Sequence, residues 1–213
     1  MNNYPKSSIT EAIKTIRANL RFSAVNKKIQ TILITSSMAG EGKSFVSANL
    51  AATFANATER VLLIDCDLRN GRIKSMFNVK NKSNLGLSNL LIDDEWYKNF
   101  KNYVNPTKIK YLHIITSGSI TPNPSLLLES KKMSLIVENL RKIYDVIIFD
   151  TPSVTGLTDA LVMTNLADAS LIVVRAKKTP FEVLQNTKKA LENAGANVAG
   201  VILNCVDVKD TKY

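Results

Sequence analysis

Apolar residues along the chain occur as short continuous runs and at helical spacings, and the two patterns alternate along its length. Continuous runs favour buried strands, whereas helical spacing favours amphipathic helices. Strands are predicted at residues 31–35, 61–64, 112–116, 146–149, 169–175 and 198–204. Helices are predicted at residues 8–25, 45–57, 85–91, 126–142, 158–166 and 179–193, with short helices within 93–103. This alternation predicts an α/β fold with a mostly parallel sheet, helices on both faces and right-handed crossovers.

The first predicted strand leads into a loop of small and polar residues with the sequence SSMAGEGKS. Gly40 and Gly42 let the backbone turn so that successive N–H groups point inward, and the following helix directs its positive end at the same cavity. The loop matches the phosphate-binding pattern G-x-x-x-x-G-K-[ST], except that Ser37 replaces the first glycine. In that pattern Lys43 reaches the outer phosphates and the Ser44 hydroxyl binds Mg²⁺. The predicted nucleotide-contacting residues of the loop are Ala39, Gly40, Glu41, Gly42, Lys43, Ser44 and Phe45.

Acidic residues follow two of the other predicted strands. Asp65 and Asp67 end the second strand, and Asp150 ends the fourth, which is fully apolar. Because the carboxyl ends of parallel strands meet at one edge of the sheet, we expect these carboxylates to converge on the phosphate loop. An aspartate at the end of an apolar strand is costly to bury without a partner, and a metal-bound water would supply one. One member of the Asp65–Asp67 pair has an alternative role as a helix cap, but the set predicts a magnesium-nucleotide site for phosphoryl transfer.

Length and charge place limits on the class of protein. The 213 residues, 45% of them hydrophobic, fit a single domain over 1–213, with an amino-terminal helical segment at 1–28 and a tail at 205–213. The net charge of +10 suits an anionic partner. The sequence shows no basic stripe interleaved with aromatic residues of the kind that binds single strands, so we expect a protein or membrane-proximal partner rather than nucleic acid.

The sequence also predicts the compartment. It has no apolar run of the roughly 20 residues that a membrane-spanning helix needs, and its amino terminus lacks the apolar core of a secretory signal. Cys66 and Cys205 are far apart and belong to no C-x-x-C pair, which argues against disulfide and zinc sites. We therefore expect a cytoplasmic protein without a direct membrane span.

Three motifs resemble those of the bacterial protein-tyrosine kinases of the Walker type, which are P-loop proteins that regulate capsular and exopolysaccharide synthesis and export. TSSMAGEGKS resembles their Walker A motif, VLLIDCDLR their A-prime motif and VIIFDTP their Walker B motif. Weaker similarity, in segments such as EAIKTIRANLRF and AGVILNCVD, extends over nearly the whole chain. The resemblance implies an ATP- and Mg²⁺-dependent tyrosine autokinase.

The resemblance also implies roles for individual residues. Lys43 would hold the phosphates, Ser44 and Asp150 would organise Mg²⁺ with help from Asp67, and Asp65 would orient or deprotonate the tyrosine hydroxyl. The spacing alone does not divide the roles of the two aspartates that follow the second strand. Asn204, after the last strand, stands where related sites meet the nucleotide base.

Assembly and partners follow from the same resemblance. Glu11, Lys14 and Arg17 occupy the family's oligomerisation motif Glu-x-x-Arg-x-x-Arg, with lysine in place of the first arginine. The implied homo-oligomer is a ring in which Tyr213 is phosphorylated in trans, although relatives usually carry several tyrosines where this sequence has Tyr213 alone. The implied partner is the cytoplasmic tail of a membrane adaptor, a polysaccharide co-polymerase, which would recruit the kinase to the inner face of the plasma membrane.

Two other classes share parts of this pattern. Switch ATPases of the partitioning and division-site type have the same fold and aspartates, but they carry an additional lysine early in the loop, near Ser37 or Met38, which is absent here. A binding module without phosphoryl transfer would not need the intact Lys43, Ser44 and three aspartates. Phosphoryl transfer to tyrosine is therefore the function we predict from the sequence.

Overall fold

The apolar runs form one sheet in the computed structural model, which describes residues 8–22, 28–79 and 84–207. Within these residues the sheet has seven strands in the order β3-β4-β2-β5-β1-β6-β7. The strands are β1 (Thr31–Ser36), β2 (Val61–Asp65), β3 (Asn105–Pro106), β4 (Leu112–Ile115), β5 (Val146–Asp150), β6 (Ala169–Arg175) and β7 (Val198–Asn204). All neighbouring strands are parallel except β3 and β4, which are antiparallel. The predicted fold class is confirmed.

The helices alternate with these strands as expected. They are α1 (Ser8–Phe22), α2 (Lys43–Asn56), α3 (Ile73–Met76), α4 (Leu87–Ile92), α5 (Trp96–Asn99), α6 (Pro124–Leu128), α7 (Lys131–Arg141), α8 (Asp159–Val162) and α9 (Phe181–Asn193). Short 3₁₀ helices cover Phe100–Asn102 and Thr164–Leu166. The single helix predicted at 126–142 is wrong, because the chain breaks there into α6 and α7. Ser130 causes the break: its Oγ accepts a hydrogen bond from the Met133 N–H at 3.2 Å and caps α7.

Helices cover both faces of the sheet. On one face, α1 and α2 pack on alternate residues of the central strands, including Ile34 and Leu63. On the other face, α4, α6 and α7 pack on the intervening residues, including Leu62 and Phe149, and α9 packs on β6 through Leu191. The central strands β1, β2 and β5 are buried along their whole length, so their carboxyl ends hold the loops that follow them in fixed positions.

The first helix packs on the second through only part of its predicted apolar face. Ile13 and Leu20 are buried, whereas Ile9 and Phe22 are 52% and 75% exposed. Arg21 contacts the Glu59 carboxylate, which follows α2, and donates through Nη1 to the Ile29 carbonyl at 3.2 Å. These contacts fasten the end of α1 to the edge of the sheet from which the strands start. The predicted extension of this helix to residue 25 lies outside the described residues.

A buried carboxylate at the same edge ties three elements together. Asp168 accepts hydrogen bonds through Oδ2 from the backbone N–H groups of Gln30 and Thr31, both at 2.9 Å. Arg141 donates to both of its oxygens, at 2.9 and 3.1 Å. Burial raises the pKa of Asp168, but the guanidinium and the two N–H groups outweigh it and hold the pKa at about 2.

We expect the Asp168→Asn variant to lose about 2 kcal/mol in the free energy of unfolding at pH 7. The folded-state pKa lies below the unfolded value of 3.8, so the stabilisation is present above about pH 4 and is lost as the pH falls toward about 2. Urea denaturation of the variant and the parent at several pH values measures both effects.

Asp145→Asn is the matched control, because Arg60 and a backbone N–H also lower the pKa of Asp145 to about 2. The side chains of Arg60 and Asp145 are 57% and 36% exposed, however, so solvent screens this pair and we expect a loss below about 1 kcal/mol. Equal losses for the two variants, or an Asp168→Asn loss that does not change with pH, would contradict this account.

Candidate active site

The loop between β1 and α2 has the backbone geometry of a phosphate nest. Gly40 and Gly42 both adopt positive φ, at 81° and 92°, a region that favours glycine. Gly42 is the N-cap of α2, and its carbonyl accepts from the Val46 N–H at 3.0 Å, so helical bonding starts at the glycine. The amino terminus of this 14-residue helix therefore faces the concave side of the loop, where its free N–H groups and dipole favour an anion.

Glu41 holds this loop in place from behind. Its side chain is only 3% exposed; Oε2 accepts from the Met38 N–H at 2.7 Å, and Oε1 accepts from the Thr179 hydroxyl. Its backbone carbonyl accepts from Asn204 Nδ2 at 2.8 Å. The carboxylate therefore faces the protein, and only the backbone N–H of Glu41 remains for a phosphate. Asn204, predicted to meet the base, lies at the end of β7 directly against the loop.

We expect Gly42→Ala to weaken ATP binding by about thirtyfold or more, measured by calorimetry with Mg²⁺ present. A Cβ atom at this position would lie 2.1 Å from Asn204 Nδ2, and the backbone would remain at a φ of 92°. Gly40→Ala is the control, since its φ of 81° is similar but no atom lies within 4 Å of the added Cβ; its loss should be about fivefold. Adding Asn204→Ala to Gly42→Ala should recover part of the affinity, and equal losses for the two glycine variants would contradict the steric explanation.

Asp150 lies at the end of β5 and is completely buried. Its Oδ1 accepts from the Ser47 hydroxyl at 3.0 Å, whereas Oδ2 has no hydrogen-bond partner among the described residues. Burial raises the pKa of Asp150 to about 6, against the opposing charge of Lys43 and the hydroxyls of Ser44 and Ser47. A buried carboxylate oxygen without a partner fits the metal-bound water expected from the sequence.

Asp67 and Lys43 form an ion pair beside this carboxylate. Lys43 Nζ lies 3.3 Å from Asp67 Oδ2, and both side chains are largely buried, at 15% and 9% exposure. The other Asp67 oxygen accepts from the Asn70 N–H at 2.9 Å, which fixes the carboxylate on its loop. Lys43 therefore stands between the acidic residues and the phosphate loop, as the sequence predicts.

Asp65 has a different environment from Asp67. It is fully buried, and its two oxygens accept from backbone N–H groups, Oδ1 from Asp67 at 3.3 Å and Oδ2 from Ile73 at 3.0 Å. Burial raises the pKa of Asp65 to about 8, and the nearby Asp150 charge adds to the effect. Asp65 thus accepts the N–H of the first residue of α3 from eight positions earlier in the chain, whereas the N-cap residue of that helix is Arg72. The Asp65 carboxylate is not accessible to a tyrosine hydroxyl in this conformation.

The donor set fits a magnesium ion held jointly with a nucleotide. In the part of the chain that the structure describes, no group of three or more His, Cys, Asp or Glu side chains is placed to hold a metal on its own. Mg²⁺, however, usually takes one or two carboxylates and completes its shell with phosphate oxygens and water. Asp150, Asp67 and the Ser44 hydroxyl would supply that smaller protein contribution.

Sequence reasoning missed an ion pair next to the site, between exposed Arg69 and buried Asp159. Asp159, at the start of α8, is completely buried and accepts from Arg69 Nε at 3.1 Å and from the Ser125 hydroxyl. This contact joins the loop that carries Asp67 to α6 and α8. Arg69 was part of the quoted A-prime motif, but Asp159 resembles an ordinary first-turn acid of a helix, so nothing in the sequence pointed to the pair.

The residues predicted for assembly lie away from this site. Lys14 Nζ is 2.9 Å from Glu11 Oε1 on α1, and Arg17 Nη1 is 3.9 Å from the Glu59 carboxylate of the same chain. Tyr213, the predicted phosphorylation site, lies outside the described residues. None of the helices described by the structure has the length and apolar character required to span a bilayer.

The sheet order, the phosphate loop and the aspartates at neighbouring strand ends define a P-loop nucleotide-binding protein. Residues 29–198 match the AAA domain family. Tyrosine-protein kinase YwqD of Bacillus subtilis is 38% identical over 200 residues, which cover 94% of this chain and 82% of YwqD. The chain therefore belongs to the family of bacterial tyrosine-protein kinases, and the resemblance read from its motifs is confirmed.

Solved structures agree with this assignment. The crystal structure of the chimerical protein CapA2B2 has a TM-score of 0.89 and 35% identity, covering 96% of this chain and 88% of the chimera. The kinase domain of Escherichia coli tyrosine kinase ETK has a TM-score of 0.88 and 33% identity, covering 97% of this chain and 79% of that one. The septum site-determining protein MinD of Pyrococcus horikoshii, complexed with Mg-ADP, has a TM-score of only 0.67 and 22% identity, covering 82% of this chain and 69% of MinD. MinD thus has the same fold as this chain.

Proposed function

We propose that this chain is an ATP- and Mg²⁺-dependent protein-tyrosine kinase that phosphorylates itself and regulates capsular or exopolysaccharide synthesis and export. The observation that carries the proposal is the meeting of Lys43, Asp67 and Asp150 beside a phosphate nest, in a chain of the tyrosine-kinase family. The Asp150–Lys43–Asp67 arrangement suits a triphosphate, whose negative charge needs both a cation and a metal beside it.

Different residues of the site bind the nucleotide, bind the metal and position the loops. The backbone N–H groups of residues 39–44 and the start of α2 bind the phosphates, and Lys43 neutralises the outer ones. Ser44, Asp67 and Asp150 hold Mg²⁺, which when bound would withdraw charge from the phosphate oxygens and align them for in-line transfer. Asp65 positions the loop that carries Asp67 by accepting the Ile73 N–H.

The acceptor tyrosine needs a carboxylate that it can reach. Its phenol has a pKa near 10, so a carboxylate contributes by orienting the hydroxyl and accepting the proton late in the transfer. Asp67 retains 9% side-chain exposure, whereas Asp65 is fully buried. We assign the contact with the tyrosine hydroxyl to Asp67 and keep Asp65 as a positioning residue.

Incubation of the purified chain with Mg-ATP, followed by mass spectrometry of its tyrosine peptides, tests the proposed activity. We expect phosphate on Tyr213. Tyr97 and Tyr111, which are 63% and 39% exposed, provide internal controls and should remain unmodified. ATP hydrolysis without phosphotyrosine would contradict the proposal and favour a switch ATPase.

Phosphorylation in trans would require contact between copies. Glu11 of one copy and Lys14 and Arg17 of the next would form a head-to-tail contact, which closes into a ring if the rotation between copies permits. Tyr213 follows Asn204 by about nine residues, which span at most about 30 Å when extended, enough to reach a neighbouring site. Exposed ion pairs are weak, so we expect the homo-oligomer to be sensitive to salt.

Mixing Lys43→Met protein with the Tyr213→Phe variant tests transfer between copies, because the former keeps the acceptor and the latter keeps the active site. We expect phosphate on the Lys43→Met chain, and less of it when both partners also carry Glu11→Ala and Arg17→Ala. The absence of transfer in the first mixture would contradict phosphorylation in trans, and undiminished transfer in the second would contradict the proposed contact.

The remaining part of the proposal concerns recruitment. The cytoplasmic tail of a membrane adaptor of the polysaccharide co-polymerase type would bind the kinase, raise its activity and hold it at the inner face of the plasma membrane. Addition of such a tail peptide should increase the rate of autophosphorylation, and a peptide of the same composition in scrambled order should not.

A further inference from the structure

The edge of the sheet opposite the candidate active site carries a row of exposed cations. They lie in the segments that lead into four strands, β4, β2, β5 and β1, which are neighbours in the sheet. We call them the basal cations: Lys28, Arg60, Lys108, Lys110 and Lys142, all of them exposed. Three strand spacings separate the first strand of this group from the last, so the row extends over about 14 Å at the strand ends.

Backbone hydrogen bonds hold these segments side by side. The Val61 N–H donates to the Tyr111 carbonyl at 2.9 Å, which joins the start of β2 to the start of β4. The Asp145 N–H donates to the Arg60 carbonyl at 2.8 Å, and the Ile147 N–H donates to the Gln30 carbonyl at 2.8 Å. The row is therefore fixed by the sheet and does not depend on flexible loops.

Most of the acids at this edge are already matched. Asp145 pairs with Arg60, Asp168 pairs with Arg141, and Glu59 contacts two arginines of α1. The four lysines of the row form no ion pair with any residue that the structure describes. An excess of positive charge therefore remains at the surface, at a fixed position and on one side of the molecule.

Exposed apolar side chains lie among these cations. Phe22 at the end of α1 is 75% exposed, Ile143 next to Lys142 is 48% exposed, and Tyr111 next to Lys110 is 39% exposed. Lys110 Nζ is 4.8 Å from the centre of the Tyr111 ring. Lysines interleaved with exposed aromatic and aliphatic groups are typical of surfaces that lie at the membrane–water interface.

We infer that this basal edge binds the surface of a bilayer that contains anionic lipids. The lysines meet the headgroup phosphates, and Phe22 and Ile143 enter the headgroup region. The candidate active site lies at the other end of the strands, about 16 Å away along a five-residue strand, and therefore faces away from the bilayer, open to ATP and protein. This inference goes beyond the proposed function, because recruitment by an adaptor does not require lipid contact.

Nucleic acid fits the same edge less well. Binding of single strands relies on aromatic faces on which bases stack, and Lys110 covers the Tyr111 ring. Arg60, the arginine of the row, is engaged with Asp145 through Nε and Nη2, at 3.1 and 2.8 Å. Exposed Ile143 gives a base no ring to stack on, and Phe22 is the one exposed aromatic side chain of this edge whose ring is not covered by a lysine in the described residues; both side chains suit the headgroup region.

Sedimentation of the full chain with phosphatidylcholine vesicles, with and without about one-third phosphatidylglycerol, tests the inference. We expect binding only to the anionic vesicles. The variant Lys28→Gln/Lys108→Gln/Lys110→Gln/Lys142→Gln should lose about a hundredfold or more in affinity, since each lysine near an anionic surface contributes about fivefold. A control variant removes the same charge from segments that follow the carboxyl ends of the strands, at the opposite edge: Lys98→Gln/Lys101→Gln/Lys131→Gln/Lys178→Gln. It should lose less than about threefold.

A second variant separates the apolar contribution from the charge. Phe22→Ser/Ile143→Ser keeps every basal cation and should lose most of the binding that remains at high salt, where the electrostatic part is screened. The variant that lacks the four basal lysines and the Phe22→Ser/Ile143→Ser variant should both keep the thermal stability of the parent and its ATP turnover in the absence of vesicles. No preference for anionic vesicles, equal losses in the two lysine variants, or tighter binding of nucleic acid than of vesicles at the same edge would each overturn the inference.

Discussion

Lys43→Met should remove tyrosine phosphorylation while leaving the folded protein intact. We expect the rate to fall by about a thousandfold or more, because Lys43 is the cation that lies between the phosphate loop and the acidic residues. Lys43 Nζ is 3.3 Å from Asp67, and its charge lowers the pKa of Asp150. Without the Lys43 charge, the negative phosphates would lie beside the Asp67 and Asp150 carboxylates with one positive charge fewer to offset the repulsion.

The fold should tolerate this change because Lys43 is in none of the hydrophobic clusters, and methionine keeps the length of the side chain. Lys132→Met is a matched control, since its side chain is 22% exposed and lies 3.6 Å from Asp94, away from the phosphate loop. Phosphotyrosine formation and thermal unfolding of both variants provide the measurement. Phosphorylation by Lys43→Met at the parent rate would show that the site is misassigned.

Asp150→Asn should remove the magnesium dependence of nucleotide binding. In the parent, we expect the affinity for ATP to fall by about tenfold or more on chelation of Mg²⁺, because the carboxylates then repel the phosphates. In the variant, the affinities with and without Mg²⁺ should differ by less than about threefold, and phosphorylation should be lost. Calorimetric titration with ATP, with and without a chelator, measures the difference.

Asp150→Asn should not lower the free energy of unfolding at pH 7, although it removes phosphorylation. The folded-state pKa of Asp150, about 6, lies above its unfolded value of 3.8, so the ionised carboxylate opposes folding at pH 7, and this penalty decreases as the pH falls. Asparagine can still accept from the Ser47 hydroxyl, so the variant should be at least as stable as the parent at pH 7. Asp94→Asn, at a fully exposed position, serves as the control. Nucleotide binding by the parent that does not respond to Mg²⁺ would contradict the assignment.

The sequence predicted the centre of the sheet well because the pattern there is local and continuous. β1, β2 and β5 are uninterrupted apolar runs, and such runs are buried on both faces wherever helices cover a parallel sheet. The two-residue strand β3 gave no such signal, because it consists of an asparagine and a proline at the edge of the sheet. Periodicity also failed to show that Ile9 and Phe22 lie beyond the contact between α1 and α2, since spacing does not reveal where a helix meets its neighbour.

Long-range contacts explain what the sequence could not predict about the site. The spacing does not distinguish Asp65 from Asp67. The Ile73 N–H, eight residues away, holds the Asp65 carboxylate in the interior, whereas Asp67 contacts Lys43. The Arg69–Asp159 pair joins residues 90 positions apart. The basal cations come from four separate segments that only the strand order brings together. The phosphate loop, by contrast, was recognisable because its glycines and Lys43 are consecutive in the chain.

Comparison of phosphotyrosine with ADP during the first turnover tests the central claim most directly. The purified chain is mixed with Mg-ATP, stopped at short times, and analysed for both products, with Lys43→Met protein as the blank. A tyrosine kinase predicts that phosphotyrosine and ADP appear together and in equal amounts, and that both are absent from the blank. ADP that accumulates in the parent without matching phosphotyrosine would contradict the account and would identify a nucleotide hydrolase instead.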